Sequence, residues 1–208
     1  MDLNFNQIAR NLSESGNLNK TDIMASILAM IIKDCKIRKN QYMIIAGYCL
    51  RDYRIVGDLD VMLTENAYEK IKAAPYIHLG KAKISGSERG ILRLPALGEE
   101  AEIEFFARKP HDGFPTEEFS IEKLKKNKRL LLDGFGNPYY NLQTCIEQYS
   151  CVKKLDSEYF IGKFKIPAAR VQKNINHLKT IREAMGRKVP KYLIAAIAYL
   201  EKIGRAHV

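Results

Sequence analysis

Residues 42–63 read YMIIAGYCLRDYRIVGDLDVML. The first part, Tyr42–Ala46, is a short apolar run that ends at Gly47, which predicts a strand followed by a tight turn. The last part, Asp58–Leu63, alternates polar and apolar side chains and predicts a half-buried strand. Because residues i and i+2 of a strand face the same side, we expect Asp58 and Asp60 to project together.

Two carboxylates this close repel each other unless one takes up a proton or a cation lies between them. A hard divalent cation such as Mg²⁺ suits carboxylate oxygens and keeps positions for water and phosphate. A second predicted strand, Ala101–Ala107, carries Glu102 and Glu104 on one face. If the two strands are neighbours, a third carboxylate completes a two-metal site, which activates an attacking hydroxyl and stabilises a leaving pyrophosphate. The competing interpretation is acidic residues that simply alternate on a solvent-facing strand.

Hydrophobic periodicity and turn residues predict the remaining elements. Helices are expected over residues 21–38 and 65–74, strands over 81–85 and 91–94, a loop over 109–119, and a hairpin from 130–132 and 138–140. Three further helices are expected over about 142–153, 168–185 and 190–202, with no strand after Leu142. This order predicts an α+β fold, in which a mixed β-sheet core flanked by helices (residues 1–140) precedes a helical C-terminal part (residues 141–208).

The composition of the 208-residue chain is that of a globular protein, with 46% hydrophobic and 28% charged residues, and excludes wholesale disorder. Residues 141–208 hold 13 basic and 5 acidic residues, so they supply +8 of the formal net charge of +10. Lys123–Arg129 holds five more cations and is expected to be a solvated strand or turn, with contact to RNA or DNA as the alternative. The surplus indicates an anionic partner, or else a basic face that serves solubility.

Several other classes of protein are excluded. The longest apolar run, Ile23–Ile32, is too short to span a bilayer, so no membrane partner is expected, and no signal peptide is visible. The four cysteines form no Cys-x-x-Cys pair, which indicates a reduced, cytoplasmic protein without a structural zinc site. Lys202–Val208 resemble a translated sequencing adapter, which predicts a non-native end and a truncated last helix; an ordinary polar tail is the alternative.

Ala46-Gly47-Tyr48, nine further residues and Asp58-Leu59-Asp60-Val61 together resemble the first motif of the DNA polymerase β-like nucleotidyltransferases. Glu104, followed by two aromatic residues, resembles the later single carboxylate of that superfamily. More weakly, residues 133–142 resemble its hairpin before the first C-terminal helix, and residues 170–178 resemble a Lys-Asp-x-x-Asp-Leu helix of small members. The resemblance covers residues 40–180, and its first motif is the most specific part.

The resemblance implies transfer of a nucleoside monophosphate from an NTP to a hydroxyl acceptor, which is an RNA, a protein or a small molecule. It implies two Mg²⁺ ions, with Mn²⁺ as a possible substitute. Asp58 and Asp60 would hold metal, and Glu104 would complete the second metal site and help the acceptor lose its proton. Glu102 is the alternative third carboxylate.

The resemblance also implies the nucleotide-binding residues. Gly47 and Tyr48 would line the triphosphate. Arg54 and Lys173 are candidates to neutralise phosphate charge, or are surface cations.

Five positions depart from the superfamily pattern. Tyr48 replaces a small residue, and Val56 and Gly57 replace the frequent hydroxyl and polar residues before Asp58. Asn174 and His177 replace the two aspartates of the C-terminal motif. These departures keep a second interpretation open, a catalytically silent module of the same fold that binds nucleic acid or acts like an antitoxin. We interpret His177 as a surface or packing residue and Cys49 as a small buried hydrophobic residue.

Overall fold

The computed structural model of the chain describes residues 4–53, 56–81, 87–107, 121–161 and 164–205. Within these ranges the chain forms seven α-helices, a seven-stranded mixed sheet and a separate three-stranded sheet, which confirms the predicted α+β class. The helices are α1 (Phe5–Glu14), α2 (Lys20–Asp34), α3 (Glu65–Lys72), α4 (Ile121–Lys126), α5 (Leu142–Ser150), α6 (Ala168–Met185) and α7 (Lys191–Arg205). The strands are β1 (Tyr42–Ile45), β2 (Asp58–Leu63), β3 (His78–Lys81), β4 (Glu88–Arg93), β5 (Glu102–Ala107), β6 (Leu130–Leu132), β7 (Pro138–Tyr140), β8 (Val152–Leu155), β9 (Glu158–Ile161) and β10 (Phe164–Ile166). A 3₁₀ turn, Ala46–Leu50, follows β1 and is called the 46–50 turn below.

The large sheet has the strand order β3-β4-β5-β2-β1-β7-β6. At its centre β2 runs antiparallel to β1 and parallel to β5. Leu59, Val61 and Leu63 of β2 are buried, and their neighbours in sequence point to the other face, as the alternation predicts. The two acidic strands are therefore direct neighbours, which is the arrangement that the predicted site requires.

The two faces of the sheet are covered by different helices. On one face Leu59 and Phe105 share a hydrophobic cluster with side chains of α1, α2 and α3. On the other face Met43 and Tyr140 share a second cluster with Leu178 of α6 and with other side chains of the C-terminal part. The C-terminal part thus builds a common core with the sheet.

The acidic residues of β2 lie on the face that the C-terminal part covers. Met62 follows Asp60 by two residues and packs against the second hydrophobic cluster. Residues two apart in a strand share a face, so Asp60 points to the same side. The site is therefore built between the sheet and the C-terminal helices.

The C-terminal part contains a sheet that the sequence analysis did not predict. Strands β8, β9 and β10 form an antiparallel meander between α5 and α6, so the prediction of helices alone after Leu142 was wrong. Leu155 pairs with Glu158 across a two-residue turn in which Asp156 and Ser157 both have positive φ, 44° and 73°. This is the backbone of a tight hairpin turn, but without the Asn-Gly or Asp-Gly pair that announces it in a sequence.

Smaller differences lie elsewhere. The prediction of a strand or turn at Lys123–Arg129 was wrong for Lys123–Lys126, which belong to α4, whereas Asn127 and Lys128 form a turn. The helix predicted over 21–38 ends at Asp34, and α1 was not predicted. The strand predicted over 81–85 begins earlier, as β3, and residues 82–86 lie outside the described residues, as does the predicted 109–119 loop. None of the helices in the described part of the chain has both the length and the apolar character needed to cross a membrane.

Candidate active site

Four acidic side chains are brought together by the register of two parallel strands. Asp58 of β2 pairs with Glu102 of β5, and Asp60 pairs with Glu104. Paired residues of neighbouring strands lie about 4.8 Å apart and point to the same side, so the four carboxylates form one acidic patch. Asp58 is exposed, Asp60 and Glu102 are half-buried, and Glu104 is buried, with 7% of its surface exposed.

Asp60 shows the strongest electrostatic effect in this patch. Burial, and next the charge of Asp58, raise the pKa of Asp60 to about 7. The charge of Glu102 also raises the pKa of Asp60, whereas the positive charges of Arg170 and Arg89 lower it. Near neutral pH, Asp60 is therefore divided between its protonated and ionised forms unless a cation joins the patch.

Arg89 of β4 is the first of two arginines at the patch that the sequence analysis did not nominate. Its guanidinium forms an ion pair with Glu104, and the two side chains are largely shielded from water, with 17% and 10% of their surfaces exposed. The Nε of Arg89 is buried and has no hydrogen-bond partner among the described residues. Glu104 is therefore already neutralised by a group of the chain itself.

Arg170 is the second arginine, and it lies in the first turn of α6. Its charge acts on Asp60, which places a cation of the C-terminal part close to the acidic strands. Neither arginine could be found from local sequence patterns, because each reaches the patch only through strand pairing or helix packing. Between them the two guanidiniums offset part of the negative charge of the four carboxylates.

The 46–50 turn has an unusual backbone beside the patch. Ile45 pairs with Asp60, so the turn begins next to the first residues of β2. Ala46 has a positive φ of 54°, which is unfavourable for any residue with a Cβ atom. Its N–H donates to the hydroxyl of Tyr140, and its carbonyl accepts from the buried thiol of Cys49 at 3.5 Å. Backbone strain of this kind is concentrated at functional sites.

Tyr48 is buried, with 1% of its surface exposed, and its hydroxyl donates to Oδ2 of Asp133 at 2.7 Å. Asp133 also accepts the N–H groups of Phe135 and Asn137, so the contact ties the β6–β7 hairpin to the turn. Burial, and then this hydrogen bond, raise the pKa of Tyr48 well above its ordinary value. The Tyr48 side chain is therefore engaged elsewhere, so Gly47 and Tyr48 would contact a triphosphate through their backbone atoms.

Of the two cations predicted to bind phosphate, Arg54 lies outside the described residues. Lys173 is exposed on α6, and no ion pair joins it to the patch within the described ranges. On the same helix Asn174 donates to the carbonyl of Tyr149 at 3.0 Å, and the His177 ring meets the Tyr149 ring edge-on at 5.8 Å. These are packing contacts, which agrees with the interpretation of His177.

The donor atoms of the patch are chemically suited to a hard divalent cation. No three His, Cys, Asp or Glu side chains in the described part of the chain form a ready-made metal cluster. Asp58, Asp60 and Glu102 nevertheless present carboxylate oxygens on one face. Burial, and next the charge of Asp58, raise the pKa of Asp60, and a cation bound at the patch would oppose both effects. These three residues fit Mg²⁺ or Mn²⁺, whereas Glu104 is engaged by an arginine.

The chain matches no protein-family model and no curated protein sequence.

Proposed function

We propose that the protein is a metal-dependent nucleotidyltransferase, which transfers a nucleoside monophosphate from an NTP to a hydroxyl acceptor. The observation that carries the proposal is the in-register pairing of Asp58 with Glu102 and of Asp60 with Glu104. The strained 46–50 turn beside this patch and the raised pKa of Asp60 support the same interpretation. The acceptor is an RNA, a protein or a small molecule.

In this proposal Asp58 and Asp60 hold the divalent cation with a third carboxylate of β5. When bound, Mg²⁺ supplies Lewis-acid stabilisation of the phosphoryl oxygens. The 46–50 turn holds the triphosphate through its backbone, and Arg170 neutralises phosphate charge. The acceptor oxygen forms a bond to the α-phosphorus, the bond to the pyrophosphate oxygen breaks, and a carboxylate of the patch accepts the hydroxyl proton.

The proposal is tested by incubating the purified chain with each α-³²P-labelled NTP and Mg²⁺. RNA, protein and small hydroxyl compounds are offered as acceptors. We expect label transfer from at least one NTP, and we expect Asp58→Asn and Asp60→Asn each to reduce it by at least about a hundredfold, the scale typical of losing electrostatic stabilisation of the transition state. Circular dichroism checks that both variants remain folded.

Exposed Glu100, in the turn before β5, provides a matched control. Glu100→Gln removes one acidic charge near the patch but outside it, so transfer should persist. An absence of transfer and of NTP binding in the unaltered chain would contradict the proposal, as would full activity of Asp60→Asn.

A second candidate function is a catalytically silent module that binds nucleic acid. Two observations favour it: the ion pair that already engages Glu104, and the net charge of +8 in residues 141–208. It predicts that RNA or DNA binding weakens steeply with salt and survives both Asp58→Asn and Asp60→Asn. Metal-independent binding without any label transfer would favour this candidate over the enzyme.

A further inference from the structure

The geometry points to Glu102 as the third metal ligand, with Arg89 holding Glu104 out of coordination, so that the chain itself supplies ligands for a single divalent cation. This inference rests on the proposed function, because it concerns the same acidic patch. It differs from the two-metal arrangement that the sequence resemblance implies, in which Glu104 is the preferred third carboxylate.

The Arg89–Glu104 ion pair is built into the sheet. Ile91 of β4 pairs with Glu104 of β5, and Arg89, two residues away, lies on the same face. Both charged side chains are shielded from water, which makes the loss of either partner costly to the other. A metal ion that took Glu104 would leave the Arg89 guanidinium without its counter-charge, next to a dication.

Glu102 is placed differently. It pairs with Asp58 of β2 on one side and with exposed Arg93 of β4 on the other. It is half-buried rather than buried, and it forms no ion pair with Arg93 or with any other described residue. It therefore shares one face with Asp58 and Asp60 and keeps its carboxylate for a ligand. Local sequence patterns could not distinguish it from Glu104, because both residues occupy the same face of β5.

The patch keeps a surplus of negative charge, which favours a cation. Its four carboxylates are opposed by the guanidiniums of Arg89 and Arg170 and by exposed Arg93 of β4, which pairs with Glu102. A second ion would need ligands that a bound triphosphate brings with it.

The test is a titration of the metal-free chain with Mn²⁺ alone, without nucleotide. Binding is measured by the electron paramagnetic resonance signal of free Mn²⁺ and, separately, by calorimetry. We expect one bound Mn²⁺ per chain. Asp60→Asn and Glu102→Gln should each weaken this binding by at least about tenfold, whereas Glu100→Gln should not.

The decisive variant is the double replacement Arg89→Gln with Glu104→Gln, which removes the ion pair without changing the net charge. We expect it to keep Mn²⁺ affinity within about threefold of the unaltered chain, a change smaller than the loss of a coordinating group produces. Thermal melting identifies a variant that fails to fold. The number of Mn²⁺ ions bound by the unaltered chain tests the inference even if a variant fails to fold.

Two bound Mn²⁺ per chain, or a double variant that loses binding as Asp60→Asn does, would overturn the inference and leave the proposed function standing. A loss of binding in Glu100→Gln equal to that in Glu102→Gln would also overturn it. Absence of Mn²⁺ binding, or binding unchanged by Asp60→Asn, would overturn the proposed function and this inference with it.

Discussion

Asp60 lies between charges of both signs. The carboxylates of Asp58 and Glu102 oppose its ionisation, and the guanidiniums of Arg89 and Arg170 favour it. Burial opposes ionisation more strongly than either carboxylate does, and the balance leaves the pKa of Asp60 at about 7. A residue with this balance responds both to pH and to an added cation.

The raised pKa of Asp60 predicts how the stability of the metal-free protein depends on pH. An aspartate in an unfolded chain has a pKa of about 3.9, so between that pH and about 7 the folded state holds a proton that the unfolded state releases. The contribution of Asp60 to the free energy of unfolding therefore falls as the pH rises through this window. We expect the melting temperature of the metal-free chain to fall more steeply from pH 5 to pH 8 than that of Asp60→Asn.

The measurement is differential scanning calorimetry of both proteins in the presence of a chelator. Asn cannot ionise and has nearly the shape of protonated Asp, so the difference between the two profiles isolates this one group. Parallel profiles over the whole range would contradict the assigned pKa.

At this scale the acidic residues could be predicted from the sequence and their partners could not. Alternation alone places Asp58 with Asp60 and Glu102 with Glu104, because the period of a strand is two. The ion pair of Glu104 with Arg89 depends on β4 lying beside β5, and no local pattern encodes that pairing. The same limit explains why Lys173 was nominated on α6 and Arg170 was not.

The 46–50 turn is the element on which the proposed nucleotide contact depends. A glycine predicted this turn, yet the residue with positive φ is Ala46, one position before Gly47. Contacts from Tyr140 and Cys49 to the backbone of Ala46 hold the turn in place. The energy stored in it can be measured through substitutions at this one position.

Ala46→Gly removes the Cβ atom from the left-handed conformation. The relief is about 1–2 kcal/mol, and the greater freedom of glycine in the unfolded chain offsets about 0.5–1 kcal/mol of it, so the free energy of unfolding should rise by up to about 1.5 kcal/mol. Ala46→Val should lower it by about 1–3 kcal/mol, because a β-branched residue is poorly tolerated there. Urea denaturation measures the free energy of unfolding of both variants. Equal effects of Ala46→Gly and Ala46→Val would contradict the claim that the backbone of Ala46 is strained.

The hairpin of β8 and β9 shows how an element escapes sequence analysis. Asp156 and Ser157 form its turn with positive φ, although neither is glycine or asparagine. Val152 and Tyr159 are the buried residues of these two short strands, which is too little alternation to recognise as a sheet. The long helices α6 and α7, by contrast, were predicted closely because their apolar residues recur over many turns.

At the scale of the whole molecule, the basic surplus is concentrated in the part of the chain that covers one face of the sheet. The acidic patch looks toward the C-terminal part, and residues 141–208 carry +8 of the net +10. Arg170 brings one of these charges to Asp60. Under the proposed function, a basic part beside an acidic patch would attract a polyanionic substrate, which gives the net charge a role at the proposed site.

The most direct test of the central claim is an anomalous-difference map from crystals of the chain soaked in Mn²⁺. The account predicts a peak between the carboxylates of Asp58, Asp60 and Glu102, and no such peak in crystals of Asp60→Asn. A map without a peak at this patch, or with Mn²⁺ bound only elsewhere, would contradict it.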